Sequence, residues 1–172
     1  MKPDAVDTIL AQWLRERPDL DPSPIGVIGR LSRVSQHIDL ALQRNHATLG
    51  ITPGEYDVLA SLRRAGPPYR LTPTMLYQTL MLSSGAMTNR LDRLEQAGYV
   101  ERLPDPDDRR GRLVQLTAAG VAFVDHAVEV HLRNEERLLA ALSAEQREQL
   151  SSLLRHWLLS FEEPDAAPPA GE

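Results

Sequence analysis

Apolar positions in this chain recur mostly at helical spacing. Val6, Ile9, Leu10, Trp13 and Leu14 fall at i, i+3, i+4, i+7 and i+8, which predicts a short amphipathic helix over residues 4–16. Pro18 and the DLDPSP segment end it. A longer helical pattern over residues 25–49 sets Ile28, Leu31, Ile38, Leu42 and Leu49 on one stripe. Thr52-Pro53-Gly54-Glu55 combines a capping box with proline at the first helical position, so a third helix starts there and stops near Ala65-Gly66-Pro67-Pro68. Thr72-Pro73 repeats the cap-and-proline signature for a short helix through Leu80.

Ser83-Ser84 caps the next helix, which stops at Gly98. The pattern then shortens to two strands, residues 99–103 and 112–116, around a PDPDDRRG tip rich in turn formers. Thr117 opens a long helix with Val121, Val124, Val128, Leu132, Leu139 and Leu142 on one side. Ser143-Ala144-Glu145-Gln146 is a further capping box, starting a final helix that carries Leu150, Leu153, Leu154, Trp157, Leu158 and Phe161. Residues 163–172, EPDAAPPAGE, have the composition of a disordered tail. The expected fold is mainly α with one β-hairpin. Its middle is two short helices followed by a hairpin, the order of a winged helix-turn-helix, which is a device for reading DNA.

The terminal helices carry more apolar surface than one small lobe covers, which predicts a homodimer. The expected organisation is therefore residues 1–50 as N-terminal dimerisation and ligand helices, 51–117 as the winged helix-turn-helix, and 118–162 as C-terminal dimerisation helices.

Composition changes this picture little. The 172 residues are 42% hydrophobic and 25% charged, which is ordinary for a globular protein. No apolar run approaches the roughly 18 residues of a membrane span, the N-terminus is too polar for a signal peptide, and cysteine is absent. The expected compartment is the cytoplasm. The formal charge of −5 argues mildly against indiscriminate nucleic-acid binding, but a local face decides that question. Of the 19 cations only Lys2 is a lysine. That bias suits fork-shaped contacts to phosphates and base edges, and genome composition alone would also produce it.

On the helix opened by Ser83, Met87, Leu91 and Leu94 point to the core, while Gly85, Asn89, Asp92, Arg93 and Gln96 share the opposite face. Thr88 and Arg90 sit on opposite flanks. Small, amide and guanidinium groups on an outward face can reach base edges in a major groove, although many solvated helices look similar. In the hairpin tip Arg109, Arg110 and Arg112 stand among Asp105, Asp107 and Asp108. One of these arginines is positioned to enter a minor groove; in isolation the same tip would be a solvated turn with weak ion pairs. The expected DNA contacts are Ser84, Thr88, Asn89, Arg93, Arg109, Arg110 and Arg112.

The run LTPTMLYQTLMLSSGAMTNRLDRLEQAGYVERLPDPDDRRGRLVQLTAAG resembles the core of the MarR (multiple antibiotic resistance regulator) family of bacterial repressors, most specifically in TNRLDRLEQAGYVER and in DPDDRR followed by LTAAG. The resemblance covers roughly residues 24–161. It implies an obligate homodimer that places one recognition helix per subunit in successive major grooves of a pseudo-palindrome in double-stranded DNA. Met75 departs from it, since members often carry an acidic residue there.

A narrower resemblance is to the urate-responsive branch. That branch has a tryptophan on an extra N-terminal helix, an aspartate ahead of the helix-turn-helix, an arginine in the recognition helix and another in the first wing strand. Trp13, Asp57, Arg90 and Arg102 fill those positions. The resemblance implies a pocket between the lobes that binds urate and releases DNA. A planar anion suits an aromatic face and guanidinium donors, and Asp57 would answer its N–H groups or its charge. Each residue also has a plainer role open to it: Trp13 as a packing anchor, Arg90 as a phosphate contact, Arg102 as a strand-surface charge, Asp57 as an ion-pair partner. A phenolic or other aromatic acid is the alternative effector.

An enzyme is not expected. His37, His46, His126, His131 and His156 lack metal-ligand spacing such as HExxH and read as surface or interface residues. Neither a glycine-rich phosphate loop nor a nucleophile elbow is present, and no cofactor is implied. A winged helix used only for protein interaction is the remaining class, and the arginine-rich tip distinguishes the two.

Overall fold

The computed structural model describes residues 2–80, 84–106, 108 and 111–162. Seven helices and three short strands follow in the order α1 (Ala5–Glu16), α2 (Ser23–Ala47), α3 (Pro53–Arg64), β1 (Arg70–Leu71), α4 (Pro73–Thr79), α5 (Ser84–Gln96), β2 (Val100–Pro104), β3 (Arg112–Leu116), α6 (Ala118–Leu138) and α7 (Ala144–Glu162). The chain divides into two compact units, the first up to Asn134 and the second from Glu135 on.

Local chemistry explains where the helices begin. Asp4 accepts from the Val6 and Asp7 amides while Asp7 accepts from the Asp4 amide, a reciprocal box built from two aspartates. Arg30 of α2 then reaches both carboxylates, at 2.8 Å and 2.6 Å, and fastens α1 to α2. Its guanidinium holds the Asp4 carboxyl down to about 2, aided by the Asp7 and Val6 amides. Val6 is buried where Gly29 lets the two helices approach. Thr52 and Glu55 cap α3, Thr72 caps α4, Thr117 accepts from the Gly120 amide at the start of α6, and Ser143 with Gln146 caps α7.

The core of the first unit lies between the helix-turn-helix and the sheet. Val58, Leu59 and Leu62 of α3 meet Leu76 of α4, Met87, Leu91 and Leu94 of α5, Val100, Val114 and Leu116 of the strands, and Val124 of α6. A second cluster joins Ile51, Tyr56 and Ala60 to Ala127. Gly98, at φ +76°, takes the left-handed turn that ends α5 and starts β2. Gly120 packs its Cα against the Tyr99 carbonyl, where a β-carbon would overlap the backbone.

The predicted hairpin is part of a three-stranded antiparallel sheet ordered β1-β3-β2, with Arg102 opposite Val114 and Arg70 opposite Gln115. β1 has two residues, too few to leave an alternating pattern in the sequence. Helix boundaries otherwise shift by a residue or two, and α6 ends at Leu138, so Leu139 and Leu142 lie beyond it. On the α2 stripe Ile28, Leu31 and Ile38 are exposed. So are Leu153, Leu158 and Phe161 of α7, a helix with no buried residue. Among the described residues no helix is long and apolar enough to cross a membrane. Residues 163–172, expected to be a tail, lie outside the described residues.

Candidate nucleic-acid interface and effector residues

Helix α5 is held from behind. Met87, Leu91 and Leu94 are each no more than 2% exposed, as the helical spacing requires. This leaves Gly85, Thr88, Asn89, Asp92, Arg93 and Gln96 exposed on its other faces. Ion pairs then fix the helix from two sides. Arg93 meets Glu55 at 3.3 Å, and the Glu55 side chain is only 6% exposed. Arg102 of β2 donates to Asp92 at 2.5 Å and to Glu95 at 2.7 Å, tying the wing strand to α5. The wing arginine Arg112 is exposed and donates to the Gly111 carbonyl. Arg109, Arg110 and the side chain of Ser84 lie outside the described residues, as does Asp107.

The four residues expected around an effector are placed unequally. Arg90 turns away from the outward face of α5, its guanidinium against Gly54 at the start of α3. There its positive charge reaches Asp57, one turn further along α3. Asp57 is exposed, yet the protein near it penalises its charge and pushes its carboxyl up, with Arg90, His131 and Arg64 opposing that shift. Arg102 is occupied by Asp92 and Glu95. Trp13 is 46% exposed on α1, which packs on α2. The structure thus brings Arg90 and Asp57 together and leaves Trp13 and Arg102 on other elements.

Sequence reading missed a neighbouring ring cluster. His46, expected at a surface or interface, is 1% exposed. It stacks on Tyr56 with centroids 4.5 Å apart, Tyr56 stacks on His131 at the same distance, and the two imidazoles approach to 3.2 Å between Nδ1 of His131 and Nε2 of His46. Burial, with His131 adding to it, holds His46 down to about 4. Nδ1 of His46 and the side-chain nitrogens of Asn45 and Asn134 are buried without partners among the described residues. A signal was present: Asn45 and His46 continue the spacing of the α2 stripe between Leu42 and Leu49. Among the described residues no group of three or more histidines and carboxylates is placed to hold a metal ion.

Comparison with known proteins agrees with this geometry. Residues 49–111 match the family model described as MarR family. The chain is 45% identical over 149 residues to the HTH-type transcriptional regulator PecS of Dickeya dadantii (strain 3937), covering 87% of this chain and 90% of that protein. It is 37% identical over 130 residues to the multiple antibiotic resistance protein MarR of Escherichia coli (strain K12), covering 74% and 88% respectively. A crystal structure of a mutant E. coli MarR complexed with operator DNA superposes with a TM-score of 0.69 at 32% identity, over 91% of this chain and 99% of that one.

Proposed function

This chain belongs to the MarR family of DNA-binding transcription regulators, which are not enzymes, and from that premise we propose that it acts as a homodimeric repressor released from its operator by a small planar anion such as urate. In this reading α5 of each subunit enters a major groove of a pseudo-palindrome, with half-sites about 34 Å apart. Thr88, Asn89 and Arg93 read base edges or phosphates, with Ser84 at the helix start. The wing, with Arg109, Arg110 and Arg112, follows the adjacent minor groove. Residues 51–117 are the DNA-binding domain; residues 1–50 and 118–162 supply the dimerisation helices. One observation carries the DNA half: Met87, Leu91 and Leu94 anchor α5 so that Asn89 and Arg93 face outward. The solved complex of the E. coli relative with operator DNA supports DNA binding by this chain.

The effector half rests on Arg90. Its guanidinium lies against Gly54 and within electrostatic reach of Asp57, so an anion arriving there draws on a helix that also touches DNA. Trp13 supplies an aromatic face and Arg102 a second guanidinium, the latter after giving up Asp92 or Glu95. The occupied state of Arg102 favours a second reading, in which a phenolic or other aromatic acid binds through Arg90 alone.

Titrating urate into the protein–operator complex tests the proposal. Wild type is expected to release DNA at submillimolar to millimolar urate. Trp13→Ala and Arg90→Ala are expected to require about tenfold more, the cost of one charge-assisted or aromatic contact. Gly54→Ala, which evicts the Arg90 guanidinium from its seat, is expected to behave like Arg90→Ala. Release unchanged in all three variants contradicts the site, and no release of wild type contradicts urate.

A further inference from the structure

A cavity of about 410 Å³, lined by neither Asp57 nor Arg90, opens on the first unit between the loop after α2, the start of α3 and the end of α5. Its volume falls in the range of small-molecule sites. Ile51, Leu94, Ala97 and Tyr99 line it, and Glu55 and Arg93 supply its charged end. The Tyr99 ring is fixed by stacking on Phe123 at 4.2 Å.

The two charges are not equivalent. Glu55 is buried and anchored, because its Oε2 accepts from the Thr52 amide at 2.7 Å as half of the α3 capping box. Arg93 is 64% exposed and holds Oε1 at 3.3 Å from the end of a long flexible side chain. Only the arginine can leave. The permanent charge of the cavity is therefore negative, and a buried carboxylate deprived of one cation demands another. An incoming anion would meet Glu55 without relief, whereas an incoming cation takes the place of Arg93 on Oε1 and lays its apolar body against Ile51, Leu94 and Ala97.

We infer that this cavity binds small aromatic cations, an amidinium or aryl-ammonium group replacing Arg93 on Glu55. Binding there unpins one of the arginines on the outward face of α5. The site shares none of Trp13, Asp57, Arg90 or Arg102, so it stands or falls independently of the urate reading.

The test is an NMR titration of the DNA-free full-length protein with benzamidine, and with benzoate as the same ring bearing the opposite charge. Benzamidine is expected to saturate, shifting the Gly50 and Ala97 amides, and to bind at least about tenfold more tightly than benzoate. Glu55→Gln keeps the capping hydrogen bond, since glutamine serves equally in a capping box, and is expected to lower benzamidine affinity about tenfold. Arg93→Gln removes the competitor and is expected to raise it several-fold. Ala97→Phe fills the cavity without touching either charge and is expected to abolish binding. Equal binding of benzoate, unchanged affinity in Glu55→Gln or Ala97→Phe, weakened binding in Arg93→Gln, or no saturation by wild type up to about 10 mM each overturn the inference.

Discussion

His46 illustrates how one side chain sets a condition on the fold. Its ring is buried against Tyr56 and His131 and is held neutral down to about 4, against an ordinary value of 6.5. Between those two pH values the unfolded chain binds the proton and the folded chain does not. Stability from this residue is therefore complete above about pH 6.5 and is lost as the pH falls toward 4, by about 3 kcal/mol across the window. Thermal unfolding at pH 7 and pH 5 is expected to show a lower Tm at the acid end, and His46→Phe is expected to flatten that difference. An equally steep loss in the variant would assign the acid sensitivity to other groups. Asp57 works in the opposite sense: its carboxyl is pushed up by the protein packed around it, so its contribution favours folding at the acid end and fades as the pH rises.

At the scale of elements, the join between wing and α6 is the least forgiving point. Gly120 sits against the Tyr99 carbonyl, and the obstruction is backbone, which cannot swing aside as a side chain would. Gly120→Ala is expected to lower unfolding free energy by roughly 2 kcal/mol or more through overpacking, read as a drop in the denaturation midpoint. A neutral result would mean the helix start relaxes freely. The helices and the hairpin were legible in the sequence because capping residues, prolines and 3.6-residue spacing are local signals: Thr52, Thr72, Thr117 and Ser143 each mark a start within one residue. The buried face of α5 was legible for the same reason. What escaped was non-local. The pairing of β1 with β3 needs a partner strand far along the chain, Leu71 with Val114 and Arg70 with Gln115. The Arg93–Glu55 and Arg102–Asp92 ion pairs join residues on different elements, and no spacing rule within one helix reports them.

Among the described residues, each of the two units exposes apolar side chains along one helix. Val27, Ile28, Leu31 and Val34 stand exposed along α2, and Leu153, Leu158, Leu159 and Phe161 along α7. Contiguous patches of this kind mark interfaces, which is why the proposed repressor is a dimer. Leu158→Glu is expected to put a charge into that interface and shift the protein toward monomer, seen in sedimentation as a fall in mass that deepens on dilution. An unchanged dimer would place the interface elsewhere.

The central claim is that the outward face of α5, presented by a dimer, reads the operator. Its most direct test is equilibrium binding to the upstream DNA over a series of salt concentrations, for wild type and Asn89→Ala. Wild type is expected to lose affinity steeply with salt, as phosphate contacts release counterions. Asn89→Ala is expected to bind at least about tenfold more weakly, from loss of a base-edge contact, with the same salt slope and an intact dimer. Wild-type affinity in Asn89→Ala, or binding by the wild type that does not respond to salt, would contradict the account.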